Sequence, residues 1–148
     1  MQLPKTLLVP VDFSDTSNLA LDYAVDLAKA LGGKVVVMHA YELPVYGFPD
    51  GALVATVEIA TRIMNGAQAG LEALLEKRKD KGVEITSVLR QGVPWDEVHS
   101  VAEEVKADMI VIGTHGRGGL ARALLGSVAE KIIRTSTRPV LTIRGPHK

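Results

Sequence analysis

Five short aliphatic runs alternate with helical patterns along the 148 residues, and this alternation limits the possible folds more than any other feature. The runs are Thr6–Val11, Lys34–Met38, Val83–Leu89, Asp108–Ile112 and Val140–Ile143. Unbroken β-branched runs suit parallel strands, which are covered on both faces. A first helix is expected over residues 16–31, with Leu19, Tyr23, Leu27 and Leu31 on its apolar stripe and Gly32-Gly33 ending it. A second is expected over 52–80, with Val57, Ala60, Ile63, Met64, Ala67, Leu71 and Leu74 at helical spacing and Gly66 and Gly70 weakening it. A third, over 95–106, carries Val98, Val101, Ala102 and Val105, with Pro94 in the first turn. A fourth, over 128–136, carries Val128, Ala129, Ile132 and Ile133. The order predicts an α/β fold: an open five-stranded parallel sheet, helices on both faces and right-handed crossovers. No repeat or linker interrupts it, so residues 1–148 are expected to form one domain.

Composition narrows the function classes. Lys and Arg number 17, as do Asp and Glu, and only 4% of residues are aromatic. That balance speaks against a nucleic-acid partner and against a platform for stacked bases. There are no cysteines, so disulfides and thiolate chemistry are excluded. No apolar run approaches the ~18 residues of a membrane span, and the first residues lack a signal-peptide pattern. A cytoplasmic protein without membrane contact is expected. The charge is uneven, however. Residues 113–148 hold seven basic residues and one acid, Glu130. That imbalance fits either a local anion site or a solvated basic face.

The strongest local signal is Gly113-Thr114-His115-Gly116, followed after nine residues by Gly126-Ser127. It starts where the fourth strand ends and finishes where the last helix begins. Glycines allow close approach of backbone to a ligand, and a turn of this kind presents several amides to one point. Ser127-Val-Ala-Glu130 reads as a capping box, with Ser127 at the N-cap. A helix start there would favour an anion, with Arg117 and Arg122 adding charge. The same residues also suit a plain chain turn and a helix cap. Asp12, at the end of the first strand, suits ribose hydroxyls or a divalent ion, and equally a turn or cap beside Ser14, Asp15 and Thr16. Residues 42–51, with two prolines and two glycines, read as a loop. In it, Tyr46 and Phe48 suit a lid, a partner contact or an ordinary surface.

Other chemistry finds little support. There is no P-loop string, and Gly116–Ala121 matches a loose dinucleotide pattern in the wrong place, after the fourth strand. His39, His99, His115 and His147 lack metal-ligand spacing, so no metal site is expected. His39 reads as a strand-end residue with a satisfied hydrogen bond, and Trp95 as packing at a helix start. No strained-turn motif marks a catalytic serine, so no catalytic residue is assigned.

Gly113, Gly116, Gly126 and Ser127 match the G-x2-G-x9-G-S/T motif of the universal stress protein family at every position. The chain therefore resembles the ATP-binding branch of that family. The opening Val9-Pro-Val-Asp-Phe-Ser14, Gly92-Val-Pro94 and Pro139-Val-Leu141 resemble it too, so the likeness covers essentially the whole chain. It implies a Rossmann-like sheet of the adenine nucleotide alpha hydrolase type, in strand order 3-2-1-4-5. It also implies a homodimer paired through the edge strand Val140–Ile143, which no lysine or central proline blunts. Carried over by position, Pro10, Val11 and Ala40 line the adenine and Asp12 binds ribose. Ile112 sits against the nucleotide, and Gly113, Gly116, Arg117, Gly126, Ser127 and Val128 surround the phosphates. The implied ligand is ATP, ADP or AMP, with Mg2+ as a companion of the phosphates. The implied role is a regulatory sensor in stress response, read by a protein partner. The alternatives are a slow ATPase or nucleotidyl-transfer enzyme using Asp12 and a divalent metal, or an interaction module without nucleotide.

Overall fold

The computed structural model describes residues 2–44, 46–47, 53–54, 56–114 and 126–145. Its sheet strands are β1 (Thr6–Pro10), β2 (Lys34–Tyr41), β3 (Ile85–Gln91), β4 (Met109–Gly113) and β5 (Val140–Ile143). All neighbours pair in parallel, in the order β3-β2-β1-β4-β5. Leu8 sits between Val36 of β2 and Ile110 of β4. The helices are α1 (Asp15–Leu31), α2 (Val57–Lys77), α3 (Pro94–Glu104) and α4 (Ser127–Thr135).

The pleat divides the core in two. Leu7, Val9, Val35, Val37 and Val111 face α1 and α2. Leu8, Val36, Met38, Ile110 and Ile112 face α3 and α4. This is what alternation along strands buried on both faces requires. The chain moves outward from β1 to β2 to β3 through α1 and α2 on one face. It then crosses to β4 and β5 with α3 and α4 on the other. A constant crossover hand forces that division. The direction of winding reverses between β1 and β4, which leaves a crevice at their carboxyl ends.

Several sequence expectations shift here. Strand β2 runs on to Tyr41, and β3 is displaced toward Gln91. Helix α2 starts at Val57 rather than at residue 52, because Leu53–Val54 instead pairs antiparallel with Tyr46–Gly47. The expected irregular loop over 42–51 thus contains one strand of a small hairpin. Phe48 lies outside the described residues.

The stripe expected on α1 is corrected. Leu27 packs against the core as expected, but Leu19 and Tyr23 are 41% and 50% exposed, while Ser17, Ala20, Leu21, Ala24, Val25 and Ala28 are buried. Small residues on that face let the helix lie close to the sheet, and close packing outweighed the bulk of Leu and Tyr. On α2 the inner end of the expected stripe holds, with Ala67, Leu71 and Leu74 buried, whereas Val57 and Met64 are exposed. Gly66 faces open space, but a Cβ on Gly70 would lie 2.8 Å from the Phe13 ring. Gly70 therefore makes room for Phe13. The expected stop at Gly32 holds, with Gly32 left-handed (φ +69°) and its amide bonded to the end of α1.

At the opposite, amino-terminal end of the sheet, Asp108 ties β1 to β4. Its Oδ2 accepts the amides of Lys5 and Thr6, both at 2.9 Å, and its own amide donates to the Thr6 carbonyl at 2.8 Å. The Thr6 and Lys5 amides hold the carboxyl below the ordinary 3.8, burial opposes them, and Arg138 adds a smaller lowering. A depressed folded-state pKa adds stability that is complete above the ordinary value and is lost as pH falls through the folded one. Asp108→Asn is therefore expected to lower Tm at pH 7. Below pH 3.8 that difference is expected to shrink, and thermal melts of both proteins across this range measure it.

Candidate functional site

The first lip of the crevice is the turn from β1 to α1. The Val11 amide donates to the Met38 carbonyl at 2.8 Å, continuing the ladder one residue past β1. Asp12 Oδ1 accepts the Ser14 amide at 3.0 Å, an Asx turn that reverses the chain. Ser14 then caps α1, its hydroxyl accepting the Ser17 amide at 3.2 Å. Of the two roles open to Asp12 within the fold, the structure thus gives it the turn and gives the cap to Ser14. Between them Phe13 sits at φ +65°, a left-handed conformation uncommon for an aromatic residue.

The second lip is the end of β4. Gly113 pairs with Ile143 in register, and the Thr114 amide donates to the Ile143 carbonyl at 3.0 Å. A Cβ on Gly113 would lie 2.8 Å from the Thr16 methyl and 3.0 Å from the Thr16 carbonyl oxygen. The first motif glycine is thus required by the fold itself, since the first turn of α1 presses on it. The Gly126 amide donates to the Thr114 carbonyl, so the two ends of residues 115–125 meet.

The expected capping box is not formed. Gly126 is the N-cap of α4, and no side chain among the described residues caps it. Ser127 is the first helical residue and is exposed, and Glu130 instead pairs with Arg134 at 2.7 Å. Glycine suits the N-cap nearly as well as serine, and a one-residue shift takes Glu130 out of capping position. The first bond across the start of α4 runs from the Glu130 amide to the Gly126 carbonyl at 2.9 Å. The amides of Ser127, Val128 and Ala129 therefore have no acceptor within the helix. They form a donor cluster beside the end of β4, at the positive end of the helix dipole.

The remaining expected residues fall around this crevice. Pro10 is half-buried at the end of β1, and Ala40 is half-buried near the end of β2. The side chains of Val11 and Ile112 are buried on opposite faces of the sheet, and Val128 packs against the α3–α4 core. His115, Gly116, Arg117 and Arg122 lie outside the described residues. His39 has the satisfied hydrogen bond expected of it, its Nδ1 lying 2.7 Å from the Val11 carbonyl. A carbonyl only accepts, so Nδ1 carries the proton. Sequence reasoning missed Thr16 and Thr114. Thr114 fills only a variable position of the glycine motif and Thr16 lies in none, and only the packing of α1 on β4 and β5 singles them out.

Among the described residues no cluster of three His, Asp or Glu side chains is placed to hold a metal ion. No described helix is long and apolar enough to cross a membrane. The basic C-terminal quarter is partly engaged. Arg134 pairs with Glu130, Arg138 with Glu103 at 3.0 Å, and Lys131 lies 4.7 Å from the centre of the Trp95 ring. A groove of about 460 Å³ lined by Leu75, Arg78, Val83 and Ile85 lies at the amino end of β3, away from the crevice.

A family model described as the universal stress protein family matches residues 4–144. Universal stress protein MJ0531 of Methanocaldococcus jannaschii is 35% identical over an alignment covering 99% of this chain and 85% of that protein. A universal stress protein solved in complex with cAMP superposes with a TM-score of 0.71 at 30% identity, covering 97% of this chain and 98% of that one. One from Archaeoglobus fulgidus, solved in complex with dAMP, superposes with a TM-score of 0.68 at 27% identity, covering 97% and 99%.

Proposed function

This chain belongs to the universal stress protein family, and we propose that it binds an adenine nucleotide in the crevice between β1 and β4. The observation that carries the reading is the donor cluster at the start of α4, set beside the end of β4 and across the reversal point from Asp12. Unpaired amides at a positive helix end suit a phosphate, and a carboxylate on the opposite lip suits a sugar hydroxyl. The relatives solved with cAMP and dAMP support the same ligand class.

In this reading Asp12 binds ribose, while Gly113, Gly116, Arg117, Gly126, Ser127 and Val128 surround the phosphates. Pro10, Val11 and Ala40 line the adenine, and Ile112 sits against the nucleotide. Both backbone groups of Val11 are engaged, by Met38 and His39, so its contribution is shape rather than hydrogen bonding. ATP is the proposed ligand, with Mg2+ as a companion of its phosphates. The proposed role is a cytoplasmic regulatory sensor rather than an enzyme. Residues 1–148 act as one domain and pair with a second copy along the β5 edge, Val140–Ile143.

Calorimetric titration with Mg-ATP, ADP and AMP tests the reading. Wild type is expected to bind at least one of them. Gly116→Val, which places a branched side chain in the phosphate loop, is expected to lower affinity by about a hundredfold or more, the loss of several charge-assisted bonds. No binding by wild type, or unchanged binding by the folded variant, overturns the assignment.

A further inference from the structure

We infer that His39 is the residue that positions Asp12 for ribose recognition. The inference rests on the nucleotide reading above and adds a residue to it. His39 grips both neighbours of Asp12. Its Nδ1 donates to the Val11 carbonyl at 2.7 Å, and its ring lies 4.6 Å from the Phe13 ring, tilted by 44°. The Val11 carbonyl and the Asp12 amide belong to one planar peptide unit. The Asp12 side of that unit is held as well, its amide donating to the Ser17 hydroxyl at 3.4 Å. The plane that delivers the Asp12 Cα is thereby pinned from β2 on one side and from α1 on the other.

The residue after Asp12 is fixed by the same imidazole. Phe13 is left-handed, a conformation that surrounding structure must impose. Its ring is confined between His39 and Gly70 of α2, where no Cβ fits. Without the imidazole, the Val11 carbonyl loses a part-buried donor and Phe13 loses one wall of its slot. The turn can then relax toward ordinary backbone angles, and Asp12 turns with it. His39 touches one base-lining residue, Val11, at its carbonyl alone, while its two contacts flank Asp12 on either side, so its loss should fall mainly on sugar recognition.

The test compares ATP with 2′,3′-dideoxy-ATP, which lacks the hydroxyls assigned to Asp12. Wild type is expected to prefer ATP by about tenfold, the value of a hydrogen bond to a charged group. His39→Leu is expected to reduce that preference to about twofold while binding of the dideoxy nucleotide stays within about twofold of wild type. His39→Asn keeps a donor near the Nδ1 position and is expected to restore most of the preference. A retained tenfold preference in folded His39→Leu overturns the inference. So does an equal loss for both nucleotides, which marks general damage to the site. If His39→Leu fails to fold, Phe13→Leu decides, since it removes only the ring contact. An unchanged preference there likewise sinks the proposal. Equal wild-type affinity for the two nucleotides removes the inference but leaves nucleotide binding intact, whereas absence of binding to either removes both.

Discussion

Arg78→Ala is expected to cost about 3 kcal/mol and to lower Tm by roughly 10 °C, read by thermal or urea unfolding. Arg78 follows the last turn of α2, and its side chain is 2% exposed. Nε donates to Asp22 Oδ1 at 2.8 Å, Nη1 to the Leu74 carbonyl at 3.0 Å and Nη2 to Asn18 Oδ1 at 3.1 Å. One planar group therefore closes the end of α2 and ties it to α1. Truncation leaves the buried Leu74 carbonyl and the half-buried Asn18 oxygen without their donor and removes the packing of the long stem, while Asp22, 57% exposed, turns to water. Arg78→Lys is expected to recover little, because a single ammonium cannot reach three acceptors spread around a plane. Lys79→Ala, one residue on, should change stability by under about 0.5 kcal/mol, since the Lys79–Glu76 pair is solvent-exposed. Equal effects at the two positions would contradict this account of the α1–α2 joint.

Gly33→Ala is expected to be nearly as damaging, at about 3 kcal/mol, the upper end of overpacking costs. A Cβ there would lie 2.9 Å from the Lys5 carbonyl carbon and still closer to its oxygen. That oxygen accepts the Lys34 amide at 2.7 Å, the bond that starts the β1–β2 ladder. The obstacle is backbone on both sides, so no rotamer change relieves it. The variant must separate the strands at their first pair. Loss of protection at the Lys34 and Val35 amides in hydrogen exchange, beyond any global change, is the expected signature. A Tm within a degree of wild type would refute it.

The sheet was readable from the sequence because buried parallel strands need a rare composition. Val35-Val-Val-Met38 and Met109-Ile-Val-Ile112 have few other uses in a chain that also carries helical spacing. Where sequence reasoning went astray, neighbours that the sequence does not list had decided the outcome. Leu19 and Tyr23 look like a core stripe by size, yet α1 turns its alanines inward because the sheet beneath it is close. Lys77-Arg-Lys-Asp80 was given no role from the sequence, and only the approach of α1 singles out Arg78. Gly70 looks like a helix defect until Phe13 is placed beside it.

The candidate site divides along the same line. The reversal point was legible, since the strand order implied by the family resemblance puts it between β1 and β4, next to Asp12 and Gly113. The site's internal wiring was not. The serine in Gly126-Ser127 suggested a capping hydroxyl, whereas the structure uses the glycine as cap and makes Ser127 the first helical residue. The grip of His39 on the Asp12 turn depends on Pro10 and Met38 lying in register, which leaves the imidazole just past the ladder's end.

The bond between Thr114 and Gly126 also bears on how such a protein can diverge. Because that bond joins the end of β4 directly to the start of α4, the two elements are held together by the framework itself. Doubling the length of chain between two such fixed points adds only about 0.6 kcal/mol of closure entropy. The sheet can thus keep its packing while the sequence between Thr114 and Gly126 changes.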